Sequence, residues 1–137
     1  MKIRTENWPT VHAFYDHLLA DYRVPVEPII RVLEWLKEER IERELFAFNS
    51  MHDLVITDRE EFDWDHHTLR ISLDFHTKKF HLEYTRHSGA SDRMKKEAEE
   101  SQAIEVLRQF LAYKFGVHRP RKPNQALDPT RKARGSS

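Results

Sequence analysis

Cysteine is absent from this 137-residue chain, and only three glycines occur in it. The first absence removes disulfides, thiolate zinc sites, iron–sulfur clusters and cysteine nucleophiles together. It also fits a reducing compartment, so a cytoplasmic location is expected. The second excludes a glycine-rich phosphate loop, which needs several adjacent positions without a Cβ. No serine stands in a nucleophile-elbow sequence. No apolar run approaches the roughly 20 residues that cross a bilayer. The stretch Met1–Trp8 has no hydrophobic segment and predicts no secretory leader. No internal repeat is visible.

What is present is charge and large rings. Charged residues make up 34% and hydrophobic residues 39% of the chain, so few side chains are left to fill a core. Eight Phe, three Trp and four Tyr are large enough to do it. The zero net charge hides an asymmetry. From Arg119 onward there are six basic residues and one acid, which leaves 17 basic and 22 acidic residues before it. The first 118 residues therefore carry about −5 and the rest about +5, and each part selects its own partners.

Periodicity predicts the elements. Val11, Phe14, Leu18 and Tyr22 recur at helical spacing behind Pro9, which suits a first turn. A second helix is predicted over Pro28–Arg43, with a stripe of Ile29, Ile30, Val32, Leu33, Trp35, Leu36 and Ile41 wide enough for two contacts. Trp35 is the residue that a monomer core could spare, which makes a homodimer one expectation. The period then drops to two at Phe46 and Phe48, at Leu54–Thr57, at Leu69–Phe75 and at Phe80–Tyr84. A third helix is predicted from after Ser91 to Gly116. The fold class is thus α+β: two N-terminal helices, a mainly antiparallel sheet of about four strands, and one long C-terminal helix, with the helices on one sheet face. Residues 1–118 form the domain.

The last 19 residues, with three prolines and a single large aliphatic side chain, are expected to be a disordered basic tail. Within them Pro123-Asn124-Gln125-Ala126-Leu127-Asp128-Pro129-Thr130 resembles the P-N-x-x-L-x-P-T extensions that end otherwise unrelated bacterial reading frames. That resemblance implies a bacterial source and carries no activity. Arg119–Arg134 could touch nucleic-acid phosphates, but no aromatic residue there can stack on a base.

Two candidate sites follow. If Phe75 pairs with Phe80, Leu73 meets Leu82 and Ile71 meets Tyr84, while Asp74 faces His81 with His76 diagonal to it. Asp74, His76 and His81 would then offer two imidazoles and a carboxylate to a divalent transition metal, the only cofactor the sequence suggests. The competing reading is a solvated sheet face. The second site is the loop Asp58, Arg59, Glu60, Glu61, Phe62, Asp63, Trp64, Asp65, whose five carboxylates surround two rings. Rings supply buried contact and acids steer a basic protein toward them. The competing reading folds Phe62 and Trp64 onto the core. Two lesser candidates, Asp65-His66-His67 and His52-Asp53, lack ligand spacing, and adjacent histidines in an extended segment point apart. His12 and Asp16 read as ordinary helix pairing. The sequence favours a small non-catalytic protein-binding domain, an adaptor, inhibitor or immunity-type protein, over a metal-dependent enzyme.

Overall fold

A computed structural model describes residues 2–63, 66–85 and 93–117, with the backbone alone at Asp63. The tail and its boundary after His118 lie outside the described residues. The chain divides into two units, Met1–Leu107 and Arg108–Ser137. The architecture is α+β.

The first unit opens on a short strand, β1 (Lys2–Arg4), ahead of helix α1 (Trp8–Tyr22). Asn7 caps α1 by accepting the Thr10 N–H at 2.8 Å, which satisfies a donor left over in the first turn. Val11, Tyr15 and Leu18 are buried along one face, whereas Tyr22 is exposed. Arg23 closes the helix with a left-handed φ of 55°. Helix α2 (Glu27–Glu38) is shorter than its apolar pattern suggests. Arg40 turns to φ 62°, and a 3-10 turn over Ile41–Arg43 carries Ile41 into the core. Trp35 is buried too, so it offers no surface to a second copy.

Strands β2 (Phe46–Ser50), β3 (Asp53–Thr57), β5 (Thr68–Leu73), β6 (Phe80–Thr85) and β7 (Met94–Ala98) form an antiparallel sheet in the order β2-β3-β5-β6-β7. β4 (Glu61–Asp63) pairs with β1 in a separate ribbon. Leu69, Ile71 and Leu73 of β5 and Phe80, Leu82 and Tyr84 of β6 are buried, and the residues between them are not. That alternation buries a single face of these strands. β3 differs, because Leu54, Val55, Ile56 and Thr57 are all buried. Phe62 of the ribbon explains its second covered face: its ring lies 5.8 Å from that of Phe48, the residue paired with Val55.

Three expectations need correction. Strand count rises because β1, β4 and β7 were unread. Helix α3 (Glu100–Phe115) starts only at Glu100, and Met94–Ala98 is a strand. Lys-Lys-Glu-Ala has helical composition, but pairing with β6 along five positions overrides a propensity worth only tenths of a kcal/mol per residue. Finally, Leu73 rather than Phe75 pairs with Phe80, so Ile71 meets Leu82 and Leu69 meets Tyr84. Asp74 causes the shift. Its carboxylate accepts the N–H groups of His76 and Thr77, and its carbonyl accepts that of Lys78, which closes a longer turn than the pattern indicates.

In the second unit α3 runs on to Phe115 and ends at Gly116, where φ is 72°. The Gly116 and Val117 N–H groups reach the carbonyls of Ala112 and Leu111, both at 3.1 Å.

Tyr15 is fully buried, and its hydroxyl donates to the His52 carbonyl at 3.1 Å. Burial pushes its phenol well above the ordinary tyrosine range, and Asp53 adds to that while Asn49 opposes it. Above a pH of about 10 the unfolded chain therefore sheds this proton while the folded chain keeps it, so stability falls as pH rises further. Tyr15→Phe is expected to cost about 1 kcal/mol at neutral pH and to flatten that alkaline decline. Urea denaturation at neutral pH and at about pH 11 reads both effects. An equal wild-type-to-variant gap at the two values would remove Tyr15 as the cause.

Candidate metal centre

The last residue of β3 and the segment entering β5 meet at one end of the sheet. Because Ile56 pairs with Leu69, the residues just beyond them, Asp58 on one strand and His66 and His67 on the other, are held side by side. The Thr57 hydroxyl donates to the His67 carbonyl at 2.9 Å and fixes the crossing. Both groups are buried, so that bond is protected from water.

The three side chains converge. His67 Nε2 lies 3.1 Å from Asp58 Oδ2, and His66 Nε2 contacts Oδ1. The rings stand nearly perpendicular, 4.6 Å apart. One ligand atom from each residue can be chosen so that all lie within 4.8 Å of one another. The expected divergence of adjacent histidines fails here because the chain bends at His66 instead of staying extended. Alternation holds only for a straight strand.

Protonation follows from the partners. An ionised carboxylate only accepts, so both Nε2 atoms donate to it. His67 Nδ1 lies 2.8 Å from the Tyr84 hydroxyl, which donates to it when the ring is neutral and accepts from it when the ring is charged. Partial burial works to raise the pKa of Asp58. The hydrogen bonds from His66 and His67, aided by their charge, outweigh it and hold the carboxyl below the usual carboxylate range. Exposure grades across the cluster: His67 is buried, His66 intermediate and Asp58 exposed. The site is anchored on the core and open on one side.

The sequence-predicted residues fall elsewhere. Asp74 stays in its turn, where the backbone N–H groups of His76 and Thr77 hold its carboxyl below the usual range. Ser72, not Asp74, faces His81, and His81 instead neighbours Glu97 at 3.6 Å. The shifted register thus leaves Asp74, His76 and His81 without a common centre. His52 turns its ring toward Phe75, and Asp53 binds Arg70 at 2.7 Å. His12 reaches Glu42 at 2.6 Å rather than pairing along its own helix.

The acidic loop is divided. Asp58 turns to the histidines, Phe62 is 2% exposed, and Glu60 and Glu61 stay at the surface. Trp64 and Asp65 lie outside the described residues, as does the Asp63 side chain. Phe62 is therefore core and offers no ring to a partner. Cavities of about 470 and 220 Å³ flank the Arg31–Glu100 ion pair, but none of Asp58, His66 or His67 lines either. No family model matches this chain, and neither a curated protein nor a solved structure matches it.

Phe62→Ala is expected to lower stability by about 3 kcal/mol, the cost of emptying a buried aromatic site. Chemical denaturation measures it. A loss under about 0.5 kcal/mol would mean that the ring stands in solvent after all.

Proposed function

We propose that the domain binds a divalent transition metal ion through Asp58, His66 and His67. The observation that carries this reading is the approach of two imidazole nitrogens and a carboxylate to within 4.8 Å of one another at the end of the sheet. Two histidines and one carboxylate suit zinc, iron(II) or manganese. Tyr84 supports the reading because a ligating histidine needs a hydrogen-bond partner on its other nitrogen. When Nε2 of His67 takes a metal, its proton has to sit on Nδ1, and the Tyr84 oxygen accepts it in place of donating. The hydroxyl can do either.

Three protein donors with solvent on the Asp58 side leave coordination positions for water or a substrate oxygen. Such an ion can polarise a bound oxygen or lower the pKa of a bound water. This favours the metal-dependent alternative over a purely structural ion, which four protein ligands would enclose.

Titration of the tag-free chain with zinc or cobalt(II), followed calorimetrically and by the cobalt visible spectrum, is expected to show one bound ion. Asp58→Asn, His66→Ala and His67→Ala should each weaken it by at least about tenfold, and Tyr84→Phe by a smaller factor approaching tenfold. His76→Ala and His81→Ala should leave it unchanged. Binding that survives removal of both His66 and His67 would end the proposal.

A basic protein partner is the second reading, supported by the exposed carboxylates of Glu60 and Glu61. Arg4 already approaches Glu61 at 3.6 Å, a small example of the attraction involved. Glu60→Lys with Glu61→Lys should abolish salt-sensitive association with a basic partner and spare metal binding. Association at full strength in that variant would remove this surface.

A further inference from the structure

The five-stranded sheet has two edges, and they are treated differently. The outer side of β2 is met by the N-terminal segment, where the Glu6 N–H donates to the Ala47 carbonyl at 2.9 Å. Among the described residues no strand pairs with the outer side of β7. β7 is five residues long and carries neither a proline nor a positive φ. An edge without these interruptions, unpaired among the described residues, presents N–H and C=O groups to a strand that fits.

Its side chains select the strand. Pairing of β6 with β7 places Lys95 and Glu97 on one face and Met94, Lys96 and Ala98 on the other. Lys95 and Lys96 make no ion pair among the described residues. Glu97 is held only loosely, 3.9 Å from Lys79 and 3.6 Å from His81. Edge lysines normally repel an incoming strand, and Lys95 would do so to most. A strand that brings an acid opposite Lys95 and a lysine opposite Glu97 is the exception.

Symmetry identifies that strand. When two copies of one edge pair antiparallel, the twofold axis stands perpendicular to the sheet, so opposed residues must share a face. The axis then passes through a single residue. At Lys95 it would oppose two lysines and leave Ala98 without a partner in the strand, and at Glu97 it would oppose two glutamates and leave Met94 without one. At Lys96 it opposes Lys95 with Glu97 twice, sets Met94 against Ala98 twice, and engages every residue of the strand. Lys96 meets its own copy at the axis, where its long, exposed stem can bend away.

We propose that the outer edge of β7 is a self-association surface, pairing antiparallel with β7 of a second copy about an axis at Lys96 to give a continuous ten-stranded sheet. The surface is independent of the metal centre, and a single strand addition of this size gives a weak, reversible dimer with a dissociation constant of about micromolar or above.

Sedimentation of the full chain across concentrations up to several hundred micromolar tests it. The wild type should show a monomer–dimer equilibrium. Lys95→Glu and Glu97→Lys each replace two opposite-charge contacts with two like-charge ones, so each should weaken the dimer by roughly tenfold. The double swap restores the opposition and should recover wild-type association to within about threefold. Melting curves confirm that each variant folds, and Lys95→Glu carries the test should Glu97→Lys not fold, since Lys95 makes no ion pair among the described residues. A wild type that stays monomeric overturns the proposal. So does a dimer unaffected by a folded single swap, or a folded double swap that fails to recover.

Discussion

Everything at the candidate centre depends on one transverse row of the sheet, Ile56–Leu69–Tyr84. Its first pairing places Asp58 beside His66 and His67, and its second carries the Tyr84 hydroxyl to His67. If β6 moved by two residues, the same face would stay buried and no charge would be exposed or hidden. Tyr84 would nevertheless be displaced by about 7 Å, beyond hydrogen-bond reach of His67. The core tolerates that slip and the site does not. What prevents it is the turn at Asp74, whose carboxylate and carbonyl organise the loop between β5 and β6. An exposed aspartate in a turn thus governs the geometry of a buried histidine at the far end of the same strand.

This distinction explains what was legible in the chain and what was not. Period-two patterning identifies β5 and β6 and the face each buries, since a one-residue slip would bury Glu83. It is blind to registers that differ by two, where parity is unchanged. The Asx-turn signal at Asp74 was the available clue, and the alternation of Phe75 concealed it by extending the apparent strand. Composition failed differently at β7. Met94–Ala98 has no apolar period of its own, and only the partner strand makes it extended. The three-residue strands β1 and β4 are too short for any period to register.

The acidic loop shows how one segment can serve two purposes. Phe62 closes the second face of β3 against Phe48, a face that would otherwise leave Val55 in water. That anchors the ribbon, and the acids on either side of Phe62 divide their roles. Glu60 and Glu61 remain with solvent. Asp58, at the point where β3 ends, is drawn toward the histidines. The sequence placed all of these carboxylates in one class, because pattern alone does not reveal which lies next to an imidazole contributed by a later strand.

The cluster is also poorly explained as a structural clasp. Holding the end of β3 to the start of β5 is already accomplished by backbone pairing and by the buried Thr57–His67 bond. An aspartate needing only donors there could take them from serine, threonine or backbone N–H groups, without the cost of partly burying two titratable rings. Two imidazoles supply something those donors lack, a nitrogen lone pair that becomes available once the proton is moved. The Tyr84 hydroxyl gives His67 a partner in either proton arrangement, which a carbonyl or an ammonium in its place would not. Under the proposed metal reading that reversibility has a use, because the proton leaves Nε2 as the cation arrives and Nδ1 then donates to the same hydroxyl.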